Sequence, residues 1–139
     1  MHHMIIGAGP AGVVAAESIR RLDPNCDITL IGDEPEPPYS RMAIPYLLIN
    51  RIGEPGTYLR KSDRYFDEQK IEVLQDRVSA ISVTKNAATL ATGGIRGYDR
   101  LLIATGSSPA VPPIEGMDLA GVHPCWTLDD ARAIARYRA

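Results

Sequence analysis

The sequence predicts an α/β domain in which a parallel sheet, begun by a βαβ unit, carries a small antiparallel meander. Two observations point there. Within the first 31 residues a short apolar strand runs through a glycine-rich turn into a helical pattern and then into a second apolar strand. Further on, alternating segments are separated by Asn86 and by Gly93-Gly94, which are turn signals. The size and composition agree, since 139 residues with 45% hydrophobic and 23% charged side chains suit one ordinary globular domain.

Taken in order, residues 3–6 form the first strand, 7–12 the glycine-rich turn and 13–22 the helix, which Asp23-Pro24-Asn25 stops. Asp27-Ile28-Thr29-Leu30-Ile31 is a nearly continuous β-prone run, as a strand buried on both faces requires. Residues 33–39 hold three prolines and three acids and exclude regular structure. Residues 41–50 have the apolar pattern of a short helix that Pro45 interrupts. Ser62 is placed to cap a short helix over 62–69, and Ile71-Glu72-Val73-Leu74 supplies a third strand. The meander comprises 78–84, 88–92 and 95–98. Leu101-Leu102-Ile103-Ala104 returns to the texture of a buried strand and closes at Thr105-Gly106. Pro109, Pro112 and Pro113 then impose an extended connector, and Thr127 caps a last helix with acids in its first turn. This divides the chain into 1–110 and a connector with helix, 111–139.

Charge and apolar patterning narrow the function. A formal net charge of −2 and a pI near 5.9 offer no basic surface for nucleic acid or an anionic membrane. No apolar run approaches the roughly 20 residues of a membrane span, and Met4-Ile5-Ile6 passes into glycines rather than a signal cleavage site, so a cytoplasmic protein is expected. Cys26 and Cys125 form no CxxC and have no histidine at metal-ligand spacing, so the reading is two ordinary thiols without a metal.

Gly7-Ala8-Gly9-Pro10-Ala11-Gly12 is a GxGxxG set after a strand and at the mouth of a helix, where a diphosphate can be bound. Gly7 permits the turn, Gly9 leaves room for a pyrophosphate, and Gly12 lets helix and strand pack closely. The helix N-terminus then offers amide donors and partial positive charge to the anion. Asp33 and Glu34, about twenty residues past the last glycine, are placed to accept hydrogen bonds from a ribose; the alternative is a solvated acidic turn. The loop alone does not separate FAD from NAD, which share the ADP half.

Three landmarks resemble the pyridine nucleotide-disulphide oxidoreductase superfamily. They are the glycine loop, Gly32-Asp33-Glu34-Pro35 running into Pro38-Tyr39-Ser40-Arg41, and Leu102-Ile103-Ala104-Thr105-Gly106. The acidic, proline-rich stretch is similar to ferredoxin, rubredoxin and putidaredoxin reductases, to the flavoprotein part of NADH-dependent nitrite reductases and to apoptosis-inducing factors. The resemblance implies a Rossmann-like three-layer FAD-binding domain, incomplete here, with FAD as cofactor and NAD(P)H used by the full-length protein. It implies cofactor binding by Gly7, Gly9, Pro10, Ala11, Gly12, Asp33, Glu34, Arg41, Val78, Ala104, Thr105 and Gly106. Of these, Arg41 would approach the pyrophosphate or flavin, Val78 the adenine, and Ala104 to Gly106 would bring backbone to the cofactor. For Arg41 a surface salt bridge is the competing reading.

The departures are informative too. A lysine that ferredoxin-reductase relatives often carry shortly after the arginine is replaced by Ala43-Ile44-Pro45-Tyr46-Leu47, and residues 41–50 contain no cysteine, which argues against thiol relay chemistry. Ser107-Ser108-Pro109-Ala110 lacks an arginine that some relatives have after the third landmark. The implied activity is hydride transfer from NAD(P)H to flavin and onward to a separate acceptor, such as a small redox protein or another cofactor. The second GxGxxG and the returning FAD segment of the family do not occur, so the chain is expected to be a truncated, inactive part of the enzyme. Its last apolar strand is then expected to form an open sheet edge, through which, or through the terminal helix, a homodimer would form. An NAD(P)-only dehydrogenase and a non-catalytic nucleotide-binding or scaffold domain are the alternative readings.

Overall fold

In the computed structural model, which describes residues 1–137, the chain divides into two compact units. The first comprises Met1–Tyr39 and Leu59–Gly106; the second comprises Ser40–Tyr58 and the described residues from Ser107 onward. In chain order the elements are β1 (His2–Ile6), α1 (Pro10–Leu22), β2 (Asp27–Gly32), α2 (Ile44–Leu48), α3 (Tyr65–Glu68) and β3 (Ile71–Gln75). After them come β4 (Val78–Ser82), β5 (Ala87–Leu90), β6 (Ile95–Gly97), β7 (Arg100–Ile103) and α4 (Leu128–Ala135). No helix among them is long and apolar enough to cross a membrane.

The first unit is the α/β domain the sequence predicts. Its parallel sheet has the order β3-β2-β1-β7, and β4-β5-β6 form the antiparallel meander. The two faces of the central strands explain their continuous apolar sequences. Ile5, Ile28, Leu30 and Ile71 pack with Val13 and Ala16 of α1, whereas Met4 and Ile31 pack with Ala88 and Leu90 of the meander. Met4, Ile5 and Leu30 are wholly buried, each burial contributing roughly 1.5–3 kcal/mol. Residues 12, 13, 16 and 19 place a small-residue and apolar stripe of α1 on the sheet.

Arg20 closes the N-terminal side of this unit. Its guanidinium donates to the carbonyls of Pro24, Cys26, Gln69 and Lys70, tying the end of α1 to the turns that precede β2 and β3. A cation in the last helical turn also suits the helix dipole. On the other flank of α1, Arg60 grips Glu17 with two nitrogens. Burial pushes the Glu17 carboxyl upward, but hydrogen bonds from Arg60 and Tyr65 and the charge of Arg21 outweigh it, so its pKa lies below the usual value.

Several sequence expectations are corrected. The helix expected over 62–69 is reduced to α3, whose N-cap is Arg64; Ser62 contributes its carbonyl to the Tyr65 amide, not a side-chain cap. Residues 61–64 are all exposed, so nothing apolar is gained by extending so short a helix. β4 ends at Ser82 instead of 84, with a register irregularity between Val78 and Ala80. β7 is an edge of the sheet, as expected of it, and only the buried-strand texture of its sequence is not met, since Leu102 and Ile103 are exposed. The last helix ends at Ala135 with Arg136 as C-cap; residues 138 and 139, over which it was expected to continue, lie outside the described residues.

The second unit is built from α2, α4 and two 3-10 turns, Arg41–Ala43 and Glu54–Thr57. Pro45 lies in the first turn of α2, where its missing amide proton costs nothing, so the helix begins there rather than breaking. Thr127 and Asp130 form the capping box of α4. Arg132 pairs through two nitrogens with Glu54, 78 residues earlier, and Leu128 and Ala131 are buried.

Candidate functional site

The glycine loop occupies the C-terminal end of β1, the strand at which the sheet order reverses. β2 and β3 lie to one side of β1, and β7 to the other. In an open parallel sheet this reversal opens a crevice beyond the strand ends, where ligands bind. The Gly7 amide donates to Ile31 O at 2.7 Å, and the Ala104 amide to Ile6 O at 2.7 Å, so the turn is pinned by the neighbours on both sides.

The three glycines of the motif serve different physical ends. Gly7 has φ of +115°, and a Cβ there would lie 2.1 Å from Ala104 O, so both its conformation and its surroundings exclude a side chain. Gly12 has an ordinary helical backbone, yet its Cβ would lie 1.9 Å from Gly7 O. Gly9 is the opposite case. It is the N-cap of α1 with an extended backbone, and a Cβ there would meet nothing within 4 Å. Pro10 follows in the first helical turn, and no side chain caps the helix. The loop therefore offers open space in front of a helix N-terminus whose first-turn amides face outward, which fits a diphosphate.

The other expected binding residues fall into two groups. Asp33 and Glu34 follow β2, which ends against the loop because Gly32 approaches Ala8 so closely that a Cβ would stand 2.7 Å from the Ala8 Cβ. Asp33 is exposed and Glu34 half-buried. Val78 starts β4 and packs, half-buried, beside the cluster of Met4, Ile31, Ala88 and Leu90. Ala104, Thr105 and Gly106 follow β7, with Ala104 against Gly7 and Gly106 at φ of +70°. Arg41 belongs to the second unit, where its guanidinium lies 5.1 Å from the Trp126 ring centroid. The Trp126 indole donates to Ser107 O in the same unit.

Three residues at this end of the first unit were not among the expected binding residues, although Gly32 and Tyr39 stand in the second landmark. Gly32 is one, and its position directly before two acids was the available signal. Tyr39 is the second: its ring is buried and its hydroxyl donates to Glu34 Oε2. Asp76 is the third; its amide donates to Gly32 O, and the Thr92 hydroxyl, assisted by the Arg77 amide, holds its carboxyl below the usual range against a smaller effect of burial. Cys26 is buried and Cys125 exposed, both as free thiols, and among the described residues no cluster of His, Cys, Asp or Glu is arranged to hold a metal.

Comparison with known proteins gives a consistent picture. The family described as pyridine nucleotide-disulphide oxidoreductase matches residues 1–138. The epsilon subunit of an NADH-dependent phenylglyoxylate dehydrogenase from Aromatoleum evansii is 35% identical over 93% of this chain and 31% of its own length. An NADH oxidase from Methanocaldococcus jannaschii is 35% identical over 99% of the chain and 32% of its own. Among solved structures, a covalent putidaredoxin reductase–putidaredoxin complex matches 97% of the chain and 33% of the matched chain, with a TM-score of 0.89 and 28% identity. The chain thus spans about a third of the length of the curated relatives it matches.

Proposed function

The chain belongs to the pyridine nucleotide-disulphide oxidoreductase family, and from that premise we propose that it forms the part of an FAD-dependent NAD(P)H oxidoreductase that grips the ADP half of FAD. The observation that carries this is the open space at Gly9 before the uncapped N-terminus of α1. FAD, when bound, would supply the carrier between two-electron donation by a pyridine nucleotide and the onward acceptor. The amides of the first turn of α1 hold the diphosphate, and the helix dipole adds to their attraction. Asp33 and Glu34 accept from the ribose hydroxyls, and Val78 lines the adenine. Ala104, Thr105 and Gly106 carry no bulky side chain into the crevice, so their backbone can approach the cofactor.

The acceptor is separate from this chain. Residues 41–50 contain no cysteine, so there is no dithiol in that segment to relay electrons. Putidaredoxin reductase, a similar protein, has been seen bound to putidaredoxin, which supports a redox protein as the acceptor here. GxGxxG occurs once in the 139 residues, and a second dinucleotide needs a second such cradle. The purified chain is expected to bind FAD with the yellow absorbance of oxidised flavin and to oxidise NADH no faster than the same concentration of free FAD. Calorimetry showing no binding of FAD or ADP would end this reading.

Self-association belongs to the same proposal. Among the described residues β7 has a strand partner on one side only and exposes Leu102 and Ile103, so a second copy can pair with it. Sedimentation velocity is expected to show a concentration-dependent dimer. A single monomeric species across the whole concentration range would remove the edge from consideration.

A further inference from the structure

One ion pair of the first unit lies outside both of its core clusters and joins segments that are distant in sequence. Arg60 meets Glu17 of α1 with two arms of its guanidinium, Nε donating to Oε1 at 2.7 Å and Nη2 to Oε2 at 2.6 Å, while Nη1 donates to Leu59 O at 2.6 Å. The same guanidinium stands 5.3 Å from the centroid of the Tyr65 ring, a cation–π contact. The side chains of Arg60 and Glu17 are only 31% and 22% exposed, which sets this fork apart from the solvated pairs that contribute little. Leu59, directly before, packs on the core cluster beneath α1, and its amide donates to Pro38 O at 2.9 Å. Pro38 is buried and marks the far end of the acidic segment that leaves β2. At the near end of that segment, Gly32 is pressed against Ala8 of the glycine loop. The segment is therefore fastened at one end to the glycine loop and at the other, through Leu59 and Arg60, to α1 about two turns beyond its N-terminus.

We propose that Glu17 and Arg60 are a positioning pair that holds the acidic segment in place beside the crevice and thereby sets how long a bound nucleotide stays. The inference rests on the reading of the glycine loop as an ADP cradle. Both side chains are engaged with protein partners, so they act through the segment they fasten rather than by touching the nucleotide. Residues 33–37 belong to no helix or strand, so the fastening of the two ends contributes to their order. A segment ordered in advance meets a ligand without losing freedom on binding, whereas a loosened one has to be ordered each time. Such a difference is read mainly in the rate of release, because changes at one interface move dissociation far more than association. Arginine suits the task better than lysine, since its planar fork matches a carboxylate with two parallel bonds and leaves a third nitrogen for the Leu59 carbonyl.

The test is stopped-flow displacement of etheno-ADP by excess ADP, with association rates from direct mixing and thermal melts of the same samples. Glu17→Gln and Arg60→Gln are each expected to release the probe on the order of fivefold faster, the worth of one well-made ion pair, with association little changed. The double variant is expected to do no more than either single one, because the two side chains act through each other. Arg60→Lys keeps the charge but not the fork and is expected to speed release as well, which keeps the test decisive if the glutamine variants fold poorly. Arg20→Gln is the control for general destabilisation. Arg20 lies about one turn further along α1 and holds the turns before β2 and β3, so its loss is expected to lower the melting temperature while release stays native. Native release from a folded Arg60→Lys chain, or an equal acceleration in Arg20→Gln, overturns the positioning role while leaving the ADP cradle standing. A native chain that binds no etheno-ADP overturns the cradle itself and the inference with it.

Discussion

Gly9→Val is expected to abolish binding of FAD and ADP while leaving the chain folded. The backbone at Gly9 is extended, with φ of −78° and ψ of −176°, a conformation open to any residue, and a Cβ there touches nothing within 4 Å. Valine thus meets no steric obstacle in the unliganded protein. Its cost is that of a poor N-cap, about 1 kcal/mol. The same open space is where the diphosphate has to sit against the first-turn amides, and two branched methyl groups would fill it. A loss of at least about 100-fold in affinity, or roughly 3 kcal/mol, is expected in calorimetric titration with ADP. Circular dichroism melts of the same sample separate this from unfolding. Native-like ADP affinity in Gly9→Val would mean that the phosphates lie elsewhere.

The contrast between Gly9 and its neighbours shows which parts of the site were legible from sequence. The spacing of three glycines after a strand was enough to place the loop, because a turn of that kind needs a positive φ and close backbone approach at fixed offsets, and Gly7 and Gly12 meet those needs. The two-faced burial of β1 and β2 was legible for a similar reason. Ile28 and Leu30 face α1 and Ile31 faces the meander, so both parities of the strand had to be apolar, and they are. Thr29 is the exception in that run. It is buried at 3% exposure with its hydroxyl donating to Glu72 and sharing a hydrogen bond with His2, so a polar residue persists where two polar partners meet it.

What could not be read depends on partners distant in sequence or on geometry inside a loop. Arg20 has the spacing of an ordinary solvated helix residue, and only the fold brings the carbonyls of Gln69 and Lys70 to its guanidinium. The division of the chain was invisible for the same reason. Residues 40–58 join those beyond 107 through pairs such as Glu54 with Arg132, for which no local pattern exists. Apolar texture alone could not place β7, since an edge strand and a central strand share a composition, and its edge position was expected only from the neighbour that the family resemblance implies. The link from Tyr39 to Glu34 lies within five residues, yet a proline-rich segment follows no period that would bring two side chains together predictably.

Gly12→Ala is expected to destabilise the fold severely, against the direction that helix propensity alone dictates. Gly12 lies in the first turn of a 13-residue helix with no positive φ, so by propensity an alanine would stabilise it by about 1 kcal/mol. The added methyl, however, would stand 1.9 Å from Gly7 O and 3.1 Å from Leu30 Cδ1. Leu30 could yield by changing rotamer, but the Gly7 carbonyl is backbone. Its own amide is bonded to Ile31 O, and its turn is pressed against Ala104, so relieving the clash means moving α1 away from the sheet. That movement would strip the packing of Val13 and Ala16 against Ile5 and Leu30, the centre of the larger core cluster. A cost of about 3 kcal/mol or more is expected, the upper range of overpacking, and it exceeds the propensity gain several-fold. Typical domains are stable by only about 5–15 kcal/mol, so the loss would show as a large drop in the urea midpoint. A midpoint equal to or above that of the native chain would show that α1 has room to spare at Gly12, and the close helix-to-strand approach on which the phosphate cradle depends would have to be abandoned.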